Sequence, residues 1–149
     1  GSYPGGWGQV IREKNKNGKI MGLDQKEMKE IEGIKIFVGD FLDEKSKSII
    51  IDYFKSDIDV ILSDMASNTT GNKSLDSIRT NELCLDVLDF SKDRLSKDGV
   101  VISKLFMGKE FNEIKIKAKK NFKKIHFFKP KSSRNESRET YIHCEGLST

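Results

Sequence analysis

Asp59-Val60-Ile61-Leu62-Ser63-Asp64-Met65-Ala66-Ser67-Asn68 is the stretch whose reading decides the fold. A short apolar run stops abruptly at Ser63-Asp64 and gives way to Thr69-Thr70-Gly71-Asn72. This is the pattern of a buried strand ending at a loop with an acid at its mouth. In open α/β sheets, ligands sit outside the carboxyl ends of the strands, which makes Asp64 the first candidate for chemistry.

The flanking segments alternate between strand and helix. Residues 43–54 place Ile49, Ile50, Tyr53 and Phe54 at helical spacing ahead of the central run. After it, a helix is predicted over residues 77–95, with Leu83, Val87, Leu88 and Leu95 forming an apolar stripe that Lys97-Asp98-Gly99 stops. Residues 100–103 read as a buried strand ending at Lys104, 110–120 as a basic helix, and 124–128 as a strand closed by Pro130. The last strand, 140–144, is reached through a polar loop over 131–138. Upstream, 19–23 and 34–38 read as short strands ending at Asp24 and at Gly39-Asp40, with a loop or one helical turn between them. A helix over 9–14 follows a glycine-dense loop, residues 1–8. Such alternation predicts an α/β fold with a mostly parallel sheet covered on both faces. The connection between the final two strands is too short for a crossover helix, so that pair should be antiparallel.

A chain of 149 residues reads as a single domain, long enough to bury about two thirds of its unfolded surface. Lys and Arg number 27 against 23 Asp and Glu, and much of the excess follows Lys115, which points to a polyanion on one side. Cys84 and Cys144 sit in apolar surroundings without ligand-like spacing and read as reduced core residues of a cytosolic protein, with no metal expected. No apolar run is long enough for a membrane span.

Candidate ligand contacts cluster at strand ends. Gly5 and Gly6 let backbone approach a ligand closely ahead of the positive end of the next helix. Pro4 and the adjacent glycines do not match the G-x-G-x-x-G of a dinucleotide loop, and on residues alone this is equally a generic turn. Asp24 and Asp40 each end a strand, where a carboxylate can accept ribose hydroxyls or an adenine amine. Either acid alone is also an ordinary turn residue; together with the loop they outline a nucleoside pocket. His126 and His143 lie in alternating strands and read as structural, and Met65 and Phe106 as packing.

In order, Gly1-Ser2-Tyr3-Pro4-Gly5-Gly6-Trp7, Gly39-Asp40-Phe41, Ser63-Asp64-Met65-Ala66, Lys104 and Ser133-Arg134-x-x-Ser137-x-Glu139-x-Tyr141 span nearly the whole chain. This set resembles the FtsJ/RrmJ family of S-adenosylmethionine-dependent RNA ribose 2'-O-methyltransferases. The resemblance implies a Rossmann-like methyltransferase fold and a Lys-Asp-Lys-Glu catalytic set. Within it, Asp64 matches the acid, Lys104 the second lysine and general base, and Glu139 the closing acid. Gly5, Gly6 and Trp7 match the cofactor loop, Asp24 the ribose acid and Asp40 the adenine contact, with Asp64 beside the cofactor's methionine portion. The family's first strand and first lysine have no counterpart after Gly1, so the chain reads as an N-terminally truncated methyltransferase domain. Ser67 stands where the family usually has proline, which should leave that loop less rigid.

Methyl transfer from a sulfonium to a ribose hydroxyl needs in-line alignment and a proton acceptor. An amine accepts only when neutral, and carboxylates alone favour its charged form. Lys129, Lys131, Arg134 and Arg138 form a basic rim leading to Glu139, where an RNA backbone is expected to lie. The ribosomal branch of the family fits best, implying a uridine of large-subunit ribosomal RNA as target and a monomeric, cytoplasmic enzyme. A tRNA ribose methyltransferase and a non-catalytic RNA-binding relative are the alternatives. A nicotinamide-dependent oxidoreductase is opposed by the glycine spacing.

Overall fold

Two groups of elements, residues 1–56 and those from Asp57 onward, each pack around their own core in the computed structural model, which describes residues 1–148. The first group contains α1 (Gly6–Lys14), β1 (Met21–Asp24), β2 (Lys35–Val38) and α2 (Glu44–Phe54). Strands β1 and β2 pair in parallel, with Met21 opposite Lys35 and Asp24 opposite Val38. Both strands therefore deliver their carboxyl ends, with Asp24 closing β1 and Asp40 just beyond β2, to one end of this sheet. Helix α1 carries Arg12 and Lys14 in its last turn, complementing its dipole. The Arg12 guanidinium also donates to the carbonyls of Asn15, Lys16, Gly18 and Gly33, fastening the turn after α1 to the loop before β2.

The second group contains β3 (Ile58–Ser63), α3 (Lys73–Arg94), β4 (Leu95–Phe106), α4 (Phe111–Asn121), β5 (Phe122–Phe128) and β6 (Glu139–Leu147). Its four strands lie in the order β3-β4-β6-β5. Strands β3 and β4 are parallel, while β6 runs antiparallel to both β4 and β5. The expected antiparallel pair is thus present, with the last strand inserted between its neighbours. The α/β character is as expected, and the strands are shared between two sheets.

Side-chain alternation gives this four-stranded sheet two unlike faces. Val101, Leu105, Ile142 and Cys144 point to one side and are fully buried, together with Leu88 of α3 and Ile114 and Ala118 of α4. Burying an aliphatic side chain of this size contributes about 1.5–3 kcal/mol, so this layer carries most of the unit's cohesion. Lys117 of α4 pairs with Asp89 of α3 at 2.8 Å, joining the two helices over that face. On the other face stand Leu62, Ile102, Lys104, Tyr141, His143, Phe128 and His126, none of them covered by α3 or α4.

Four local expectations change. The central run is an edge strand, and Val60 is 55% exposed rather than buried. Strand β4 extends to Phe106, so Lys104 lies within it and not at its end. Lys97-Asp98-Gly99 belongs to β4 as the irregular segment between the Ile58–Leu95 and Val60–Val100 pairings; the helix has already ended at Arg94. Finally, α3 begins at Lys73, where the Asn72 side chain accepts from the Leu75 N–H. Its buried stripe runs through Asp76, Ser77, Thr80, Asn81, Cys84, Val87, Leu88 and Ser91, polar over most of its length, while Leu83 is partly exposed.

Candidate active site

Asp64 follows β3 directly, Lys104 occupies β4, and Glu139 opens β6. The sheet register explains why they meet. Ser63 pairs with Ser103, so the next residues, Asp64 and Lys104, are neighbours on the opposite face, turned away from α3 and α4. Lys104 pairs with Tyr141 and Phe106 with Glu139, which puts Glu139 diagonally across from Lys104 on that same face. The Lys104 Nζ lies 3.1 Å from Asp64 Oδ1 and 3.3 Å from Glu139 Oε1. Its side chain is 10% exposed, against 32% for Asp64 and 39% for Glu139, so the amine is recessed between two more accessible carboxylates.

Tyr141 joins this group. Its hydroxyl donates to Asp64 Oδ1 at 2.5 Å. Burial, then the hydrogen bond to Asp64, and then the charges of Asp64 and Glu139 hold the phenol well above its ordinary ionisation range. It therefore remains a donor through neutral and moderately alkaline pH. Tyr141 stood in the sequence pattern without an assigned role; the signal was its position two residues after Glu139 in a strand, which places both on one face.

Two buried networks fix the loops around these residues. Asn81 of α3, fully buried, accepts from the Phe106 N–H at 2.8 Å and donates to the Phe106 carbonyl at 3.0 Å and to Glu110 at 3.2 Å. It clamps β4 two residues beyond Lys104. Asp76 accepts from the Thr70 N–H and hydroxyl, while the Ser67 N–H donates to Thr80 and the Ser67 hydroxyl to the Asp76 carbonyl. The loop after Asp64 is thus tied down through Ser67. A proline there would lack the donated N–H.

In the first unit, the sequence-predicted nucleoside contacts converge at the carboxyl ends of β1 and β2. Asp24 Oδ2 accepts from the Tyr3 N–H and Oδ1 from the Lys26 N–H, both at 2.9 Å. Burial tends to raise the Asp24 carboxyl, but these two donors together with nearby positive charge outweigh it and hold it below its ordinary value. Asp24 thereby secures the glycine loop to the end of β1. Its carbonyl accepts from the Gly39 N–H at 2.8 Å, and Asp40 Oδ1 accepts from the Leu42 N–H at 2.9 Å. Gly5 is buried at φ 119°, a conformation that favours glycine, and caps α1. Gly6 and Trp7, the first residues of that helix, are exposed.

The basic rim divides in two. The Lys129 ammonium donates to the carbonyls of Asn135 and Ser137, and the Arg138 guanidinium to that of Lys73 at 2.9 Å, so both shape the loop before β6. Lys131 and Arg134 are exposed, without an ion-pair partner among the described residues. Among those residues no helix is long and apolar enough to cross a membrane, and no three His, Cys, Asp or Glu side chains are grouped to hold a metal ion.

Comparison with known proteins gives a consistent picture. A family model described as FtsJ-like methyltransferase matches residues 1–147. The ribosomal RNA large subunit methyltransferase E of Pelagibacter ubique is 48% identical over 147 residues, which cover 99% of this chain and 72% of the relative. The protein of that name from Rickettsia akari is 40% identical, over 95% of this chain and 65% of the relative. The chain therefore spans roughly two thirds to three quarters of these relatives' length. Among solved structures, a ribosomal RNA methyltransferase from Plasmodium falciparum superposes with a TM-score of 0.86 at 33% identity, covering 99% of this chain and 83% of that one. With the glycine loop, the strand-end acids and the Asp64–Lys104–Glu139 cluster in their expected order, this chain belongs to the FtsJ-like methyltransferase family.

Proposed function

We propose that the chain carries out S-adenosylmethionine-dependent 2'-O-methylation of a ribose in large-subunit ribosomal RNA, at a uridine, as a cytoplasmic monomer whose two units belong to one methyltransferase domain. The observation that carries the chemistry is the recessed Lys104 amine held within 3.3 Å of two more accessible carboxylates.

The residues of the first unit fit the cofactor. Gly5 adopts a left-handed backbone that brings no Cβ into the loop, and α1 starts at Gly6 with no acid in its first turn to neutralise its positive end. Gly5, Gly6, Trp7, Asp24 and Asp40 would hold the nucleoside and its substituents. When bound, S-adenosylmethionine supplies an electrophilic methyl group.

The chain's own part is to orient the ribose hydroxyl and take its proton. In this reading Lys104, in its neutral form, would accept that proton at Nζ. Asp64 and Glu139 then stabilise the resulting ammonium, and Tyr141 fixes the Asp64 carboxylate in place. Exposed Lys131 and Arg134 would neutralise phosphates of the RNA strand.

The test is transfer of a labelled methyl group to purified large-subunit ribosomal RNA, with tRNA as the competing substrate. Lys104→Ala is expected to lower turnover by about 10²–10⁴-fold, the usual contribution of a general base, while largely sparing RNA binding. Equal loss of binding and turnover would remove Lys104 from the role of base, and preference for tRNA would move the substrate assignment.

A further inference from the structure

Three rings form a bent row, across from β6 to β5 and then back along β5, on the face of the second unit's sheet turned away from α3 and α4. Tyr141 and Phe128 are cross-strand partners, with centroids 5.7 Å apart and planes 22° from parallel. His126 lies two residues back along β5, hence on the same face, 6.2 Å from Phe128 and within 8° of parallel. These separations are those of offset stacking. Tyr141 and Phe128 are partly buried whereas His126 is exposed, so the open end of the stack faces solvent.

The inner end of the row touches the proposed chemistry. Tyr141 is the register partner of Lys104 and donates to Asp64. From Lys104 on β4, the row crosses β6 to β5, about 10 Å at ordinary strand spacing. One cation stands beside its outer end. Lys124 shares the face, two residues before His126, with its side chain 76% exposed and only a 3.9 Å contact to Glu145. Lys131 and Arg134, exposed in the loop that follows Phe128, add positive charge beyond the other end of β5.

We propose that His126, Phe128 and Tyr141 form a stacking platform for an unpaired nucleobase of the RNA strand, flanking the ribose that reacts, with the base lying on the open side of His126. This rests on the RNA methyltransferase reading above. Stacking on aromatic side chains suits any base, because every base has a π face, while neighbouring cations hold the phosphates. The platform would set the strand's position along the sheet, and the lysines would supply sequence-independent grip.

The test compares His126→Ala, His126→Phe and the unaltered protein. One assay is binding of a single-stranded oligoribonucleotide across a range of salt; the other is methyl transfer to large-subunit ribosomal RNA. His126→Ala is expected to weaken binding about 5- to 150-fold, the span found for a lost base–aromatic stack. It should raise KM more than it lowers kcat and leave the salt slope unchanged, since no phosphate contact is lost. His126→Phe should restore both. Phe128→Leu, which keeps an apolar side chain without a π face, should resemble His126→Ala. Unaltered binding in His126→Ala, or failure of His126→Phe to restore it, overturns the platform while methylation of RNA by the unaltered protein leaves the parent reading intact. Absence of RNA methylation by the unaltered protein overturns both.

Discussion

The Tyr141 hydroxyl donates to Asp64 Oδ1 at 2.5 Å, and the same carboxylate oxygen lies 3.1 Å from the Lys104 amine. One oxygen thus serves two donors from adjacent strands. If Asp64 stabilises the ammonium formed at Lys104, its orientation depends on the phenol. Tyr141→Phe keeps the ring and its stacking on Phe128 but removes the donor. Hydrogen bonds to charged groups are worth about 1.5–3 kcal/mol, so kcat should fall by roughly one to two orders of magnitude with little change in RNA affinity. Single-turnover methyl transfer with saturating RNA measures this. An unchanged kcat would reduce Tyr141 to a packing residue.

The left-handed backbone of Gly5 provides a separate check on the first unit. A Cβ at Gly5 would meet Ile31 Cδ1 at 2.9 Å and would have to adopt φ 119°, whereas a Cβ at Gly6 meets nothing within 4 Å. Gly5→Ala should therefore destabilise the protein by about 1–3 kcal/mol, the cost of a residue held in a disfavoured backbone region. Gly6→Ala should leave stability nearly unchanged. Urea denaturation compares the two, and calorimetry with S-adenosylmethionine adds the functional readout. A loss of cofactor affinity in Gly6→Ala at constant stability marks close approach of the ligand to that backbone; equal stability of both variants would contradict the strain argument.

Much of this site was legible in the chain because strand-end chemistry announces itself. Asp24, Asp40 and Asp64 each follow an apolar or β-branched run, and the structure places each at a carboxyl end of a strand. The alternation of strands and helices and the antiparallel last pair were equally readable, since connection length limits topology. Lys104 was harder: the strand boundary expected there lies at Phe106, because β4 gains antiparallel partners in β6 that local sequence does not reveal. Burial of Val60 was misjudged for a related reason, as an apolar run looks the same in a central strand and at an edge. Asn81 was missed because a polar residue on a helix reads as solvated, and Asp76 because the helix was expected to begin only at Ser77. Their spacing from Cys84, Val87 and Leu88 was the available clue, and its use depends on knowing that α3 starts at Lys73.

The two cysteines give the last expectation, which concerns alkaline pH. Both are free and buried. Burial pushes the Cys84 thiol up to about 11, a Ser103 hydrogen bond offsetting part of the effect. Burial, with the charge of Cys84 added, pushes Cys144 up to about 12. In the unfolded chain both ionise near 9.0. Each group therefore binds its proton more tightly when folded. Its contribution is fully present below pH 9 and is lost as pH rises through the folded value. For Cys84 this amounts to about 2–3 kcal/mol between pH 9 and 11. Urea midpoints should fall steeply over that range. In the Cys84→Ala, Cys144→Ala double variant the midpoint should start lower at pH 8, because buried volume is lost, yet decline more gently. Tyr141→Phe, assayed alongside, isolates the part of the slope belonging to the phenol. A double variant as steep as the unaltered protein would show that buried thiols do not set its alkaline limit.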